Sequence, residues 1–186
     1  TLTFISDDAA ANSDTWRLHN DANNDFYLQN YSAGSWGTNL KTLGGGAVEL
    51  YHNNFKSFQT DSNGIVVYGP EGDAVNINVY ADEGDDNADK FRIRADQNGI
   101  FTIQNYASGS WETNIECNGN GNVELYFDNS KKFDTNTNGV EFHGNTYMND
   151  AGKSYWGTGN DLVIFHDGSA SYIQDAGTGQ LRIDAS

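Results

Sequence analysis

Laid over itself at an offset of 75 residues, the chain matches without a gap. Positions 1–69 meet positions 76–144, and 28 of the 69 pairs are identical. Chance would give roughly one in fifteen, so the chain carries an internal duplication. "FYLQNYSAGSWGTNL" lies over "FTIQNYASGSWETNI", and "VELYHNNFKSFQTDSNGIVVYG" (48–69) lies over "VELYFDNSKKFDTNTNGVEFHG" (123–144). A blurred third version, "LVIFHDGSASYIQDAGTGQLRI", follows at 162–183. Duplication on this scale restricts the fold to units that are built twice and that cover their apolar faces against neighbours.

Within each unit the apolar residues alternate. Val75, Ile77 and Val79 are interleaved with Asn76, Asn78 and Tyr80, and Val123 and Leu125 with Glu124 and Tyr126. A period of two places the apolar set on one face of a strand. Turn signals fall at short intervals, at Asn63-Gly64, Asn98-Gly99, Asn118-Gly119, Asn138-Gly139 and Asp167-Gly168. Such pairs tolerate the positive φ that tight turns need. Nowhere does the spacing of an amphipathic helix persist over three turns. The expected fold class is all-β, a short-strand repeat architecture, with a first β repeat at 1–75, a second at 76–150 and a partial third at 151–186. The opening at Thr1 and the ending "RIDAS" suggest a piece of a longer protein.

The three hairpin copies share a spacing. Asn53, Asp128 and Asp167 are each followed five residues later by an aromatic, namely Phe58, Phe133 and Tyr172. A glycine follows at eleven residues in the first two copies (Gly64, Gly139) and at twelve in the third (Gly179). The expected roles are a polar turn, an aromatic plug in the core and a glycine that opens the next strand.

Leu, Ile, Val and Phe number 37 of 186 residues. That is close to the level at which a chain stops being able to bury a core. The 24 aromatic residues and the alternation argue against disorder. A thin, repetitive or oligomeric structure, with neighbours completing the core, reconciles the two. The formal charge of −16 repels phosphate backbones, so no nucleic-acid partner is expected. No apolar run approaches the 18 residues of a spanning helix, and no membrane insertion is expected. The single Cys117 stands where the first copy has Thr42, which predicts a buried small side chain rather than a nucleophile.

Few patterns suggest chemistry, and the chain is not expected to be an enzyme or to hold a cofactor or metal. His19, His52, His143 and His166 form no metal-ligand spacing and read as exposed strand or turn residues. Asp82, Asp85, Asp86 and Asp89 in "ADEGDDNADK" could offer oxygens to calcium, but the loop lacks the calcium-loop glycine and glutamate. A solvated acidic turn is the expectation there. Asp21-Ala22-Asn23-Asn24-Asp25 also begins like a calcium loop, and its second copy replaces Asp25 by Ile100. The "NYSAGSW" and "NYASGSW" stretches bring Tyr31 with Trp36, and Tyr106 with Trp111, around a small-residue turn. Aromatics beside polar turns can stack on sugar rings, which makes these four and Trp156 glycan-contact candidates. The competing expectation is that Tyr and Trp pack across a hairpin.

"ADEGDDNADKFRI", "SGSWETNI", "NGNVELYFDNSKKFDTNTNGV" and "DLVIFHDGSASYIQDAGTGQLRI" resemble the repeats of bacteriophage tail-fibre proteins, especially marine ones, over most of the chain. The resemblance implies an elongated homotrimeric β fibre in the virion tail, facing the outside. It implies a stiff shaft that supports host-cell attachment, with further copies of itself and other tail or virion proteins as partners. The family brings no catalytic residues. The alternative is a carbohydrate-binding adhesin module that contacts host surface glycans.

Overall fold

A computed structural model describes residues 1–5, 15–32 and 34–185. The described residues are all-β, with antiparallel pairing throughout. The strands are β1 (Leu2–Ile5), β2 (Thr15–Asn20), β3 (Phe26–Ser32), β4 (Ser35–Thr42), β5 (Val48–His52), β6 (Phe55–Asp61) and β7 (Gly64–Val67). Next come β8 (Val75–Tyr80), β9 (Lys90–Ala95), β10 (Ile100–Asn105), β11 (Glu112–Asn118), β12 (Val123–Phe127), β13 (Ser130–Asn136) and β14 (Gly139–Phe142). The last are β15 (Lys153–Trp156), β16 (Leu162–His166) and β17 (Ser171–Asp175). Strands β1 to β7 form one sheet, β8 to β14 a second and β15 to β17 a third, each pairing in simple sequence order. Two compact units, Thr1–Gly139 and Val140–Ser186, divide the chain.

The meander follows from local rules. Short loops join consecutive strands, so neighbours in sequence become antiparallel neighbours in the sheet. The β5–β6 hairpin turns on Asn53 (φ 49°) and Asn54 (φ 62°), and the β12–β13 hairpin on Asp128 (φ 51°) and Asn129 (φ 54°). Two consecutive left-handed residues suit the twist of a tight hairpin, and Asn and Asp bear that conformation best among residues with a side chain. These two turns therefore use Asn-Asn and Asp-Asn rather than the Asn-Gly pairs that the sequence advertises. Register shifts recur at equivalent places, after Leu28 and Leu50 in the first sheet and after Ile103 and Leu125 in the second.

Register gathers the alternating residues into one line. In the first sheet Leu2, Leu18, Leu28, Leu40, Leu50, Phe58 and Val67 are successive cross-strand partners over all seven strands. The second sheet repeats it with Ile77, Ile93, Ile103, Ile115, Leu125 and Phe133. The third sheet aligns Ser154, Ile164 and Ile173.

This line is not enclosed. Leu2 is 57% exposed, Leu50 43%, Ile77 43% and Leu125 40%. Among the described residues the buried hydrophobic side chain is Val163, whereas Asp25, Gln29, Glu49, Thr102, Gln104, Glu124 and Asp134 are buried polar groups. The aromatic expected as a core plug therefore sits in an open row. Phe58 is half-buried on a single-layer sheet, because a meander has no second layer to cover it. Gly179 lies beyond the end of β17 and opens no strand. Cys117 is half-buried rather than buried, since it lies on the same open face, paired with Phe101 and Val123.

Candidate functional site

The opposite face of each sheet carries the polar residues, and they are organised twice over. Arg17 on β2 donates from Nε to Gln29 Oε1 at 2.8 Å, and Gln29 donates from Nε2 to Thr38 Oγ1 at 3.0 Å. In the second sheet Arg92 donates to Gln104 at 2.6 Å, and Gln104 to Thr113 at 3.3 Å. Each guanidinium lies 4.1 Å from the centroid of a tryptophan ring, Arg17 over Trp36 and Arg92 over Trp111. Arginine suits this place because its planar fork can bond in its plane and stack on an aromatic face together.

A second cluster lies one hairpin further on. The buried Glu49 accepts from Tyr51 Oη at 2.7 Å and from Lys56 Nζ at 2.9 Å. Its counterpart Glu124 accepts from Tyr126 Oη and from Lys131 Nζ, the latter at 2.7 Å. For both carboxyls burial works toward a raised pKa, and hydrogen bonds with the neighbouring phenol and ammonium outweigh it and hold the pKa below the ordinary value. Burial, reinforced by the carboxylate, pushes the Tyr51 phenol up to about 12. Thr38 N–H donates to Asn54 Oδ1 at 2.7 Å and Thr113 N–H to Asn129 Oδ1 at 3.2 Å, which ties each hairpin tip to its neighbour.

The glycan candidates fall into two groups. Tyr31 and Trp36 are cross-strand partners on β3 and β4, with ring centroids 5.2 Å apart. Tyr106 and Trp111 lie 5.0 Å apart. Both pairs pack across a hairpin, and one face of each tryptophan is already taken by the guanidinium. Tyr31 Oη donates to the Gly34 carbonyl at 2.8 Å. Trp156, on β15, stands apart from them in sequence and sheet and is 58% exposed.

The calcium-like stretches differ in what their carboxylates do. Asp21 Oδ1 accepts the backbone N–H groups of Asn23 and Asp25 at 2.9 and 3.0 Å, and the phenol of Tyr27 donates to Oδ2. Asp25 accepts from Gly44 N–H at 3.0 Å and pairs with Lys41 at 2.9 Å. Asp96 repeats the Asp21 turn with Asn98 and Ile100. These carboxylates pin turns, which is the reason that Asp21 and Asp96 titrate below the usual range, their backbone hydrogen bonds being the largest cause. In the acidic loop, Asp85, Asp86 and Asp89 bring carboxylate oxygens within 4.8 Å of one another at an exposed turn, an arrangement that solvated acidic turns also adopt.

Sequence reasoning passed over Arg17, Gln29, Thr38, Glu49, Tyr51 and Lys56, the residues that organise the polar face. A signal was present. All six are identical in the second copy, as Arg92, Gln104, Thr113, Glu124, Tyr126 and Lys131, while many of their neighbours changed. Chemically the arrangement is a closed set of hydrogen bonds and ion pairs, suited to holding strands in register. No family model, curated protein or solved structure matches this chain.

Proposed function

We propose that the chain is a structural segment of a bacteriophage tail fibre, a stiff shaft that supports attachment to the host cell. Its role is mechanical rather than catalytic, and its partners are further copies of itself in a homotrimer together with other tail or virion proteins. The supporting observation is the apolar line that crosses each large sheet, while among the described residues the chain alone encloses almost no apolar side chain. A half-exposed leucine forgoes roughly 1 kcal/mol of burial, so a row of them favours a partner strongly. The other face of each large sheet, by contrast, pairs most of its polar groups within the sheet, the buried Thr102 hydroxyl being an exception.

The repeat architecture supports the same reading. Strand β2 and strand β9 begin 75 residues apart, as do β5 and β12, and the hydrogen bonds of the polar face recur at that offset. With strands about 4.8 Å apart, a seven-stranded meander adds roughly 30 Å along the hydrogen-bonding direction. Length is then made by repetition. The homotrimer comes from the resemblance of the repeats. A glycan-contacting role for this segment would fall to Trp156, the candidate whose ring is open to solvent.

Light scattering after size exclusion tests the proposal. The expected mass is three times the 20.4 kDa of the chain, with the early elution of an elongated particle. A monomer at micromolar concentration would overturn it.

A further inference from the structure

We infer that the apolar face of each large sheet is a docking surface for further copies of this chain, packed parallel and in register, sheet against equivalent sheet. The common axis runs along the direction in which the strands are hydrogen-bonded. Cys117 of one copy then faces Cys117 of the others at a single height. This inference rests on the fibre reading and says which face assembles and in what alignment.

Charge bears on which face can meet a second copy. A chain of net charge −16 repels its own copies, so like chains meet best on a surface without charge. The apolar line carries none; the line beside it through Val79, Phe91 and Asn105 ends at one charge, Glu112, and the adjoining line on the other side carries none. This last line consists of Phe26, Thr42 and Val48 in the first sheet, and of Phe101, Cys117 and Val123 in the second. The charged pairs Lys56–Glu49 and Lys131–Glu124 lie on the other face, neutralised within the sheet.

Area agrees. About a dozen large apolar side chains on these faces are between a third and two thirds exposed, among them Phe4, Ile65, Val79 and Phe91. Side chains of that size present on the order of 1,000 Å² together, more than the ~800 Å² that each partner buries in a standard stable interface. Alignment follows from symmetry. Copies related by a cyclic axis are parallel by construction, and an axis along the hydrogen-bonding direction lets every layer of the line meet its own equivalent. An axis along the strands would leave most of the line uncovered.

The native single cysteine supplies the test. A nitroxide on Cys117 of the assembled chain, read by pulsed electron double resonance, should report distances below about 25 Å, because facing sheets lie about 10 Å apart. The double variant Thr42→Cys, Cys117→Ser moves the label by one repeat along the same face and should report the same short distance. It also guards against disruption by a label at position 117. Asn76→Cys with Cys117→Ser places the label on the opposite side of β8 from Ile77 and should report a clearly longer one. An oligomer in which Cys117 and Thr42→Cys give distances as long as Asn76→Cys would refute this docking face while leaving the fibre reading standing. A monomer by mass would remove both.

Discussion

Replacing Lys56 by methionine removes the ammonium of the half-buried ion pair with Glu49, together with its hydrogen bond to Gln59. The side chain keeps an apolar stem of similar length, so packing is largely retained, but Glu49 loses the ammonium at 2.9 Å and keeps the Tyr51 phenol at 2.7 Å. Glu49 is 6% exposed, whereas the Lys56 side chain is 31% exposed. Exposed pairs contribute about 0–1 kcal/mol, and breaking a fully buried pair costs about 3–5 kcal/mol. A pair with one buried and one half-buried member belongs between these, at about 1–2 kcal/mol. For a unit the size of Thr1–Gly139 that corresponds to a fall in Tm of roughly 3–8 °C. Circular dichroism melts at one fixed protein concentration would measure it, since self-association makes Tm concentration-dependent. The pH dependence separates charge from packing. In the folded chain the Glu49 pKa is depressed on balance, because the two hydrogen bonds outweigh burial. A carboxyl depressed on folding adds stability above its unfolded pKa and loses it as pH falls through the folded value. The gap between wild type and Lys56→Met should therefore be full at pH 7 and close below about pH 4. A gap of the same size at pH 3 would refute the electrostatic account and leave packing of the lysine stem or the hydrogen bond to Gln59 as the cause.

Two further outcomes are expected. Absorbance titration should show that Tyr51→Phe removes a phenol that ionises at about 12. Because that pKa is raised on folding, the stability it adds is present below the ordinary phenol range and is lost as pH rises through the folded value. Loss of a phenol titrating near 10 would contradict the burial of Tyr51 and its hydrogen bond to Glu49. Asn54→Ala loses both the acceptor for Thr38 N–H and a residue suited to φ 62°, and should cost about 1–3 kcal/mol in thermal melts. Asn54→Gly loses only the hydrogen bond, so it should be the milder of the two; equal losses would mean that backbone conformation contributes nothing there.

Strand periodicity and duplication were legible because they are local or self-referential. Alternation at Val75, Ile77 and Val79 predicts a strand, and β8 spans Val75–Tyr80. The packing of Tyr31 on Trp36 across a hairpin was also readable, because both lie within six residues of a small-residue turn. The Asn53-Asn54 turn was harder to read. Asn-Gly pairs are the stronger signal for positive φ, and nothing local says that Asn53 and Asn54 take it while Asn63 does not. The Arg–Gln–Thr and Glu–Tyr–Lys sets link residues up to 12 positions apart, and only pairing registers interrupted by bulges bring them together.

By itself the sequence determined an all-β chain of duplicated units with too few apolar residues for an ordinary core, since periodicity and composition are properties of the chain before it folds. Tertiary structure alone decided which residues share a row. A register error of one residue would send Leu18, Leu28 and Leu40 to the polar side. Turn conformations and bulges set that register, and through it they turned a scattered set of leucines and isoleucines into a continuous apolar line on each large sheet, backed by a hydrogen-bonded polar face.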